Sequence, residues 1–153
     1  MTATTPPLPA LPQTSDLLCF GIYATAHAFN RVYKPLLDPL GLTYPQYLVM
    51  VSLWARDDQT VGDLGETLFL ESSTLTPLIK RLEANGLVIR ARDRSDERQV
   101  RVGLTPAGAA LQDAAGHLPA CVLAATGMTH ADLARLQREI TTLRKNLRAA
   151  PRA

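Results

Sequence analysis

The sequence predicts a mainly α-helical fold carrying one small β-hairpin, on three observations. Apolar residues recur at helical spacing along most of the 153 residues, and capping residues stand where the runs begin. Aromatic residues make up only 5% of the chain while alanine and leucine are plentiful, which disfavours a β-sandwich. Residues 87–104 break the helical period and read as two strands around a charged turn. With 46% hydrophobic and 20% charged residues, the chain has enough apolar matter to bury one core.

Taken in order, residues 1–14 hold Pro6, Pro7, Pro9 and Pro12 among small residues and read as a disordered proline-rich arm. Ser15 is the candidate N-cap of a first helix with Asp16 in its first turn, closed by Pro39 and Gly41. Thr43 and Gln46 have capping-box spacing and open a second helix through Trp54. Asp57, Asp58 and Gln59 read as a polar turn, after which Thr60 caps a short helix with Val61, Leu64 and Leu68. A break at Glu71–Ser73 leads to a helix with Leu75, Leu78, Ile79 and Leu82, ended by Asn85 and Gly86; glycine suits the left-handed position there. Two short helices back to back are the arrangement of a helix-turn-helix, and the hairpin directly after them is a wing.

Thr105-Pro106 reads as N-cap and first position of the next helix, which runs on through Gly116 and is kinked or weakened near Pro119. From Thr129 a last helix places Leu133, Leu136, Ile140, Leu143 and Leu147 at spacings of three and four, a stripe narrow enough for a dimer seam. The chain thus reads as one domain over 15–153. Residues 15–42 and 106–150 form dimerisation helices around a winged helix-turn-helix at 43–105, with the wing at 87–105.

Several functions are excluded at this level. No apolar run approaches the roughly 20 residues that span a bilayer, and the N-terminus lacks a signal-peptide pattern. Two cysteines, Cys19 and Cys121, exclude a disulfide-stapled scaffold and point to a reducing cytoplasm. Neither belongs to a metal-ligand cluster, His27, His117 and His130 are scattered, and no metal or cofactor is expected.

Charge and residue type point to DNA. Between Lys80 and Arg101 stand seven basic residues against four acidic ones, a local excess of three in a chain of net charge +2. A solvated, partly paired charge run would give the same count. The start of the second short helix says more: Ser72, Ser73, Thr74, Thr76 and Pro77 crowd it, with Lys80 and Arg81 one turn on. Small hydroxyl residues at a helix N-terminus can reach phosphates or base edges without filling the groove. Capping would use one or two of these hydroxyls, not four. At the wing tip Arg94 and Arg98 suit a minor groove, and Asp96 is placed to hold Arg98.

Cys19 lies in the first turns of helix one, where the helix dipole favours a thiolate, and all four tyrosines lie within thirty residues of it. A phenol donating to a thiolate stabilises it without adding charge; a buried, inert cysteine is the competing reading.

The order of elements, with Asp93-Arg94-Ser95-Asp96-Glu97-Arg98-Gln99-Val100 and Leu104-Thr105-Pro106-Ala107-Gly108, resembles the MarR family of winged-helix repressors. Three further stretches resemble its organic hydroperoxide resistance branch: Leu18-Cys19-Phe20 with Tyr23, Tyr33-Lys34-Pro35-Leu36-Leu37, and Leu42-Thr43-Tyr44-Pro45-Gln46-Tyr47-Leu48. Ser72 to Leu78 with Lys80 and Arg81 is similar to that branch's recognition helix, and the likeness covers roughly residues 15–148. The resemblance implies a homodimeric repressor of a pseudo-palindromic operator in double-stranded DNA, with an organic hydroperoxide as inducer. It also implies that Cys19 is the peroxide-reactive cysteine and that Tyr33 and Tyr44 reach it from the partner subunit. Tyr23 is then an accessory, and Cys121 stands where two-cysteine members carry a resolving cysteine in the fifth helix. Two alternatives stay open: a repressor of the same fold that senses a small phenolic ligand, and a thiol peroxidase in which Cys19 turns over.

Overall fold

The computed structural model describes residues 11–151. Most of the proline-rich arm, residues 1–10, lies outside them. Seven α-helices and three short strands follow in chain order: α1 (Leu18–Leu37), α2 (Tyr44–Ala55), β1 (Gln59–Thr60), α3 (Val61–Leu68), α4 (Ser72–Ala84), β2 (Val88–Arg92), β3 (Val100–Leu104), α5 (Pro106–Ala115), α6 (Leu118–Thr126) and α7 (His130–Ala149). No helix among them is long and apolar enough to cross a membrane.

The local signals hold at most boundaries because each is a hydrogen bond made within one turn. Thr43 accepts from Gln46 N while the Gln46 side chain accepts from Thr43 N at 2.9 Å. Thr60 accepts from Asp63 N, Thr105 from Gly108 N and Thr129 from Asp132 N. Gly41 takes a left-handed φ of 67° after the 3-10 turn Asp38–Leu40 that follows α1, and Gly86 one of 75° just past α4.

Three expectations need correction, and one turn was not foreseen. Ser15 does not cap α1: Thr14–Asp16 form a separate 3-10 turn, and the cap position falls on extended Leu17, which has no side chain to accept with. Cys19 is therefore the second residue of the helix. The helix from Pro106 is broken rather than kinked. It stops at Gly116, and α6 restarts with Pro119 at its second position, where a missing N–H costs nothing. Cys121 accordingly sits in α6. Gln59 is no turn residue: it is buried, donates to the Ser52 and Arg56 carbonyls, and pairs with Val102 in a third strand. Lastly, Phe69 carries φ 56° in the turn between α3 and α4, a left-handed position filled without glycine.

The sheet runs β1-β3-β2, antiparallel throughout, with Val88 opposite Leu104 and Arg92 opposite Val100. Leu53, Leu64, Leu75, Ile79, Leu82 and Val102 are fully buried and form the core between the helix-turn-helix and the hairpin. Leu37, Met50 and Leu118 extend it towards α1 and α6. The second half of α1 packs on α2, so its first half projects beyond the core. Helix α7 lies along that half, with Leu136 and Ile140 beside Ile22 and Phe29.

Candidate nucleic-acid interface and sensing site

The N-terminus of α4 is built from the core outward. Leu75, Ile79 and Leu82 fix one face of the helix in the interior, which turns Ser72, Ser73, Thr74, Lys80 and Arg81 to solvent. The cap position is Glu71, extended and without a side-chain cap bond. Capping thus uses none of the hydroxyls: among the described residues, those of Ser72, Ser73 and Thr74 make no hydrogen bond. Thr76 donates to the Ser72 carbonyl at 2.8 Å, which leaves its oxygen able only to accept from outside. Pro77 inside the helix brings no N–H, so the Ser73 carbonyl lacks its intrahelical donor.

The wing is held by charge pairs. Asp93 is buried and accepts from Ser95 N and Oγ, Asp96 N and Arg101 Nη1. These bonds, that of the Ser95 hydroxyl first, hold its carboxyl well below the usual range. Arg101 also grips Asp58, forty-three positions back, through Nε at 2.9 Å, and the two acids raise its pKa further. Glu83 accepts from Arg90 N, Nε and Nη2, tying α4 to β2. Arg92 Nη1 donates to the Glu97 carbonyl at 2.8 Å, so three of the seven basic residues serve the fold. Arg94 is exposed at the tip, and Arg98 is 90% exposed while its guanidinium rests on Asp96 at 3.1 Å, the pairing expected from the sequence. Sequence reasoning missed the Asp93–Arg101–Asp58 latch because nothing local marks a partner so far away.

The redox candidates fall in two places. Cys19 is a free thiol exposed on the projecting half of α1, so within the single chain it is not buried and inert. Leu18, Phe20, Ile22 and Tyr23 around it are exposed as well, and Tyr23 packs edge-on against His27 at 4.4 Å. Tyr33 stands on the same helix about 21 Å further along the axis, at 1.5 Å per residue. It lies 4.6 Å from Tyr44 and 5.7 Å from Tyr47, between ring centroids. Tyr33 and Tyr44 line a groove with Asn30, Lys34, Asp38 and Thr43. Burial, then the neighbouring phenols, pushes the Tyr33 pKa up to about 12, and burial raises those of Tyr44 and Tyr47. All three are neutral O–H donors at ordinary pH. Cys121 is a free, exposed thiol on α6, whose Val122 meets α1 at Thr25–Val32 rather than at Cys19. Within one chain, then, Cys19 has Tyr23 one turn away but is brought to neither Tyr33 and Tyr44 nor Cys121.

Comparison with known proteins identifies the fold and its family. The family profile of the transcriptional regulator SarA/Rot matches residues 31–114, from the middle of α1 through α5. The chain is 50% identical to the HTH-type transcriptional regulator TtmR of Methylorubrum extorquens over 90% of its own length and 71% of that protein. It is 43% identical to the organic hydroperoxide resistance transcriptional regulator of Bacillus subtilis, over 85% and 88% respectively. Among solved structures, reduced AbfR bound to DNA, a protein of Staphylococcus epidermidis, superimposes with a TM-score of 0.73 at 34% identity, covering 87% of this chain and 93% of that one. Disulfide-formed AbfR, at the same identity and over 86% and 87%, gives 0.59. These relatives are transcriptional regulators, not enzymes, and the peroxidase alternative falls with that. The chain belongs to the MarR-type winged-helix transcriptional regulators, a DNA-binding family, in the group that holds the organic hydroperoxide resistance regulator.

Proposed function

We propose that the chain is a homodimeric repressor that grips a pseudo-palindromic operator and releases it when an organic hydroperoxide oxidises Cys19. The observation that carries the reading is the separation along α1: an exposed cysteine at one end, a pair of buried-edge phenols at the other. Two copies of α1 crossing antiparallel about a two-fold axis would seat each Cys19 in the other chain's Tyr33–Tyr44 groove, with Tyr23 beside it. The exposed apolar side chains of α1 and α7 support the same pairing, since a second copy would bury them. In each subunit Ser72, Ser73, Thr74 and Thr76 would face base edges and phosphates, with Pro77 shaping the first turn. Lys80 and Arg81 would hold the backbone, and Arg94 and Arg98 the minor groove.

The chemistry follows from the donors. Hydrogen bonds from two neutral phenols stabilise the Cys19 thiolate, which attacks the outer peroxide oxygen. The O–O bond breaks, the sulfur becomes a sulfenic acid, and the departing alkoxide takes a proton to leave as the alcohol. A second thiol then displaces water and forms a disulfide, and Cys121 of the partner subunit is the candidate. Because a disulfide needs Cα atoms within about 7 Å, forming it would require helix movement. The lower similarity to disulfide-formed than to reduced AbfR is consistent with such a change.

The deciding experiment is an operator-binding assay, reduced against treated with tert-butyl hydroperoxide, on the wild type and Cys19→Ser. Release of the wild type alone is expected; release of both would sink the reading. One feature favours a second input: an apolar cavity of about 260 Å³ between α1, α6 and α7, lined by Ala28, Phe29, Val32, Val122 and Leu133. A phenolic effector bound there would still release Cys19→Ser.

A further inference from the structure

The tyrosine groove and the wing are joined by a continuous run of aromatic rings ending in one hydrogen bond. Tyr44 packs on Tyr33, and Tyr33 on Tyr47. Tyr47, buried in α2, meets Trp54 edge-on at 6.2 Å. The Trp54 indole N–H then donates to the Gly108 carbonyl at 2.9 Å, across fifty-four positions of sequence. Gly108 is no ordinary acceptor. A Cβ at this position would overlap the Leu87 carbonyl, so the first turn of α5 lies directly against the backbone that opens β2. Two more bonds fasten the same spot: Thr105 N to the Leu87 carbonyl at 3.1 Å, and the Thr105 hydroxyl to the Gly86 carbonyl at 2.6 Å.

Gly86 and Leu87 are the hinge between the recognition helix and the wing. α5 cannot shift relative to that hinge without breaking the close approach, because tightly packed backbone has no room to absorb the displacement. We propose that Trp54 is a positioning residue that carries a change in the Tyr33–Tyr44 groove to the junction of recognition helix and wing, through its bond to the Gly108 carbonyl. This rests on the peroxide-sensing reading of the groove and adds the route by which oxidation would reach the DNA-binding face.

Trp54 is the single tryptophan of the chain, so it reports on itself. With 5-fluorotryptophan incorporated, the full-length wild type should show one fluorine resonance that moves when tert-butyl hydroperoxide releases the operator. Trp54→Phe keeps a ring against Tyr47 and deletes the donor. Its reduced operator affinity should stay within about threefold of wild type, and Cys19 sulfenate should form at the wild-type rate. Operator release should need at least tenfold more oxidant or time. A merely structural tryptophan would not separate oxidation from release in this way. Should Trp54→Phe fold poorly, Tyr47→Leu interrupts the run one ring earlier and should give the same separation. An unmoved resonance in released wild type, or wild-type release by both variants, overturns the coupling alone. Failure of the wild type to release overturns the coupling together with the reading it rests on.

Discussion

In the helix-turn-helix and wing, Leu64, Leu75, Ile79, Leu82 and Val102 have no exposed surface, whereas in the first turns of α1 Leu18 is 67% exposed and Phe20 and Ile22 are 41% exposed. The first region closes its own core and satisfies its own charges, with Asp93, Arg101 and Asp58 latched and Glu83 tied to Arg90. The second has good helices whose apolar faces, α7 beside α1 included, stay partly exposed among the described residues. The same physics is complete in one place and unfinished in the other. A DNA-binding unit must hold its shape before it meets a partner, while the sensing site proposed between two chains would stay open until they meet. In the proposed dimer, a change at that shared site would alter how the two recognition helices are spaced, which would make it a useful place to put a switch.

Breaking the unfinished region should have the largest effect. Replacing Leu136 and Ile140 together by glutamate puts two charges into the expected seam. The protein should sediment as a monomer and lose about a thousandfold in operator affinity, the order that separates specific from non-specific binding. A dimer of unchanged stability would mean that α7 packs only on its own chain. In the finished region Ile79→Ala leaves a cavity where nothing is exposed and should cost about 2–5 kcal/mol in denaturant unfolding. Its oxidation response should survive wherever the protein is folded.

Smaller effects sharpen the DNA face. Thr76→Ala should relax sequence preference by about 1–3 kcal/mol at one base position, measured against a set of single-base operator variants. The loss should fall on bases that present a donor, because the hydroxyl proton is already given to Ser72. Arg98→Ala should weaken operator binding and flatten the salt slope by about 0.9, since one cation leaves the DNA face. Equal salt slopes for variant and wild type would remove Arg98 from the DNA face. The smallest effect is alkaline. Tyr33 keeps its proton up to about 12 against an ordinary 10.0, so between those values the folded chain holds a proton the unfolded one has lost. Its contribution to stability is full below pH 10 and falls as pH rises towards 12. Tyr33→Phe should remove that slope in an unfolding series.

The caps at Thr43, Thr60, Thr105 and Thr129 and the stop at Gly86 were legible because each is decided within four residues by a side chain and the backbone beside it. Ser15 misled for the opposite reason: a serine before a helical run resembles a cap whether or not the next residues turn. β1 was missed because two residues carry no alternation, and Gln59 reads as polar although the Ser52 and Arg56 carbonyls make its burial favourable. In the candidate site Cys19 and the hydroxyls of α4 stood out by residue type, whereas Tyr47 and Trp54 read as ordinary helix residues.

The sequence by itself determined the class of the fold, the start and stop of most helices, and which residue types could touch DNA or react with a peroxide. These follow from local hydrogen bonding, hydrophobic period and side-chain chemistry, which a linear string carries. Tertiary structure alone decided that α5 and α6 part at Gly116, that Arg101 reaches Asp58, that Trp54 meets Gly108, and that Tyr44 of α2 packs on Tyr33 of α1. Each of these depends on how separate elements pack, and packing is set by the fit of whole surfaces rather than by any residue's neighbours in the chain.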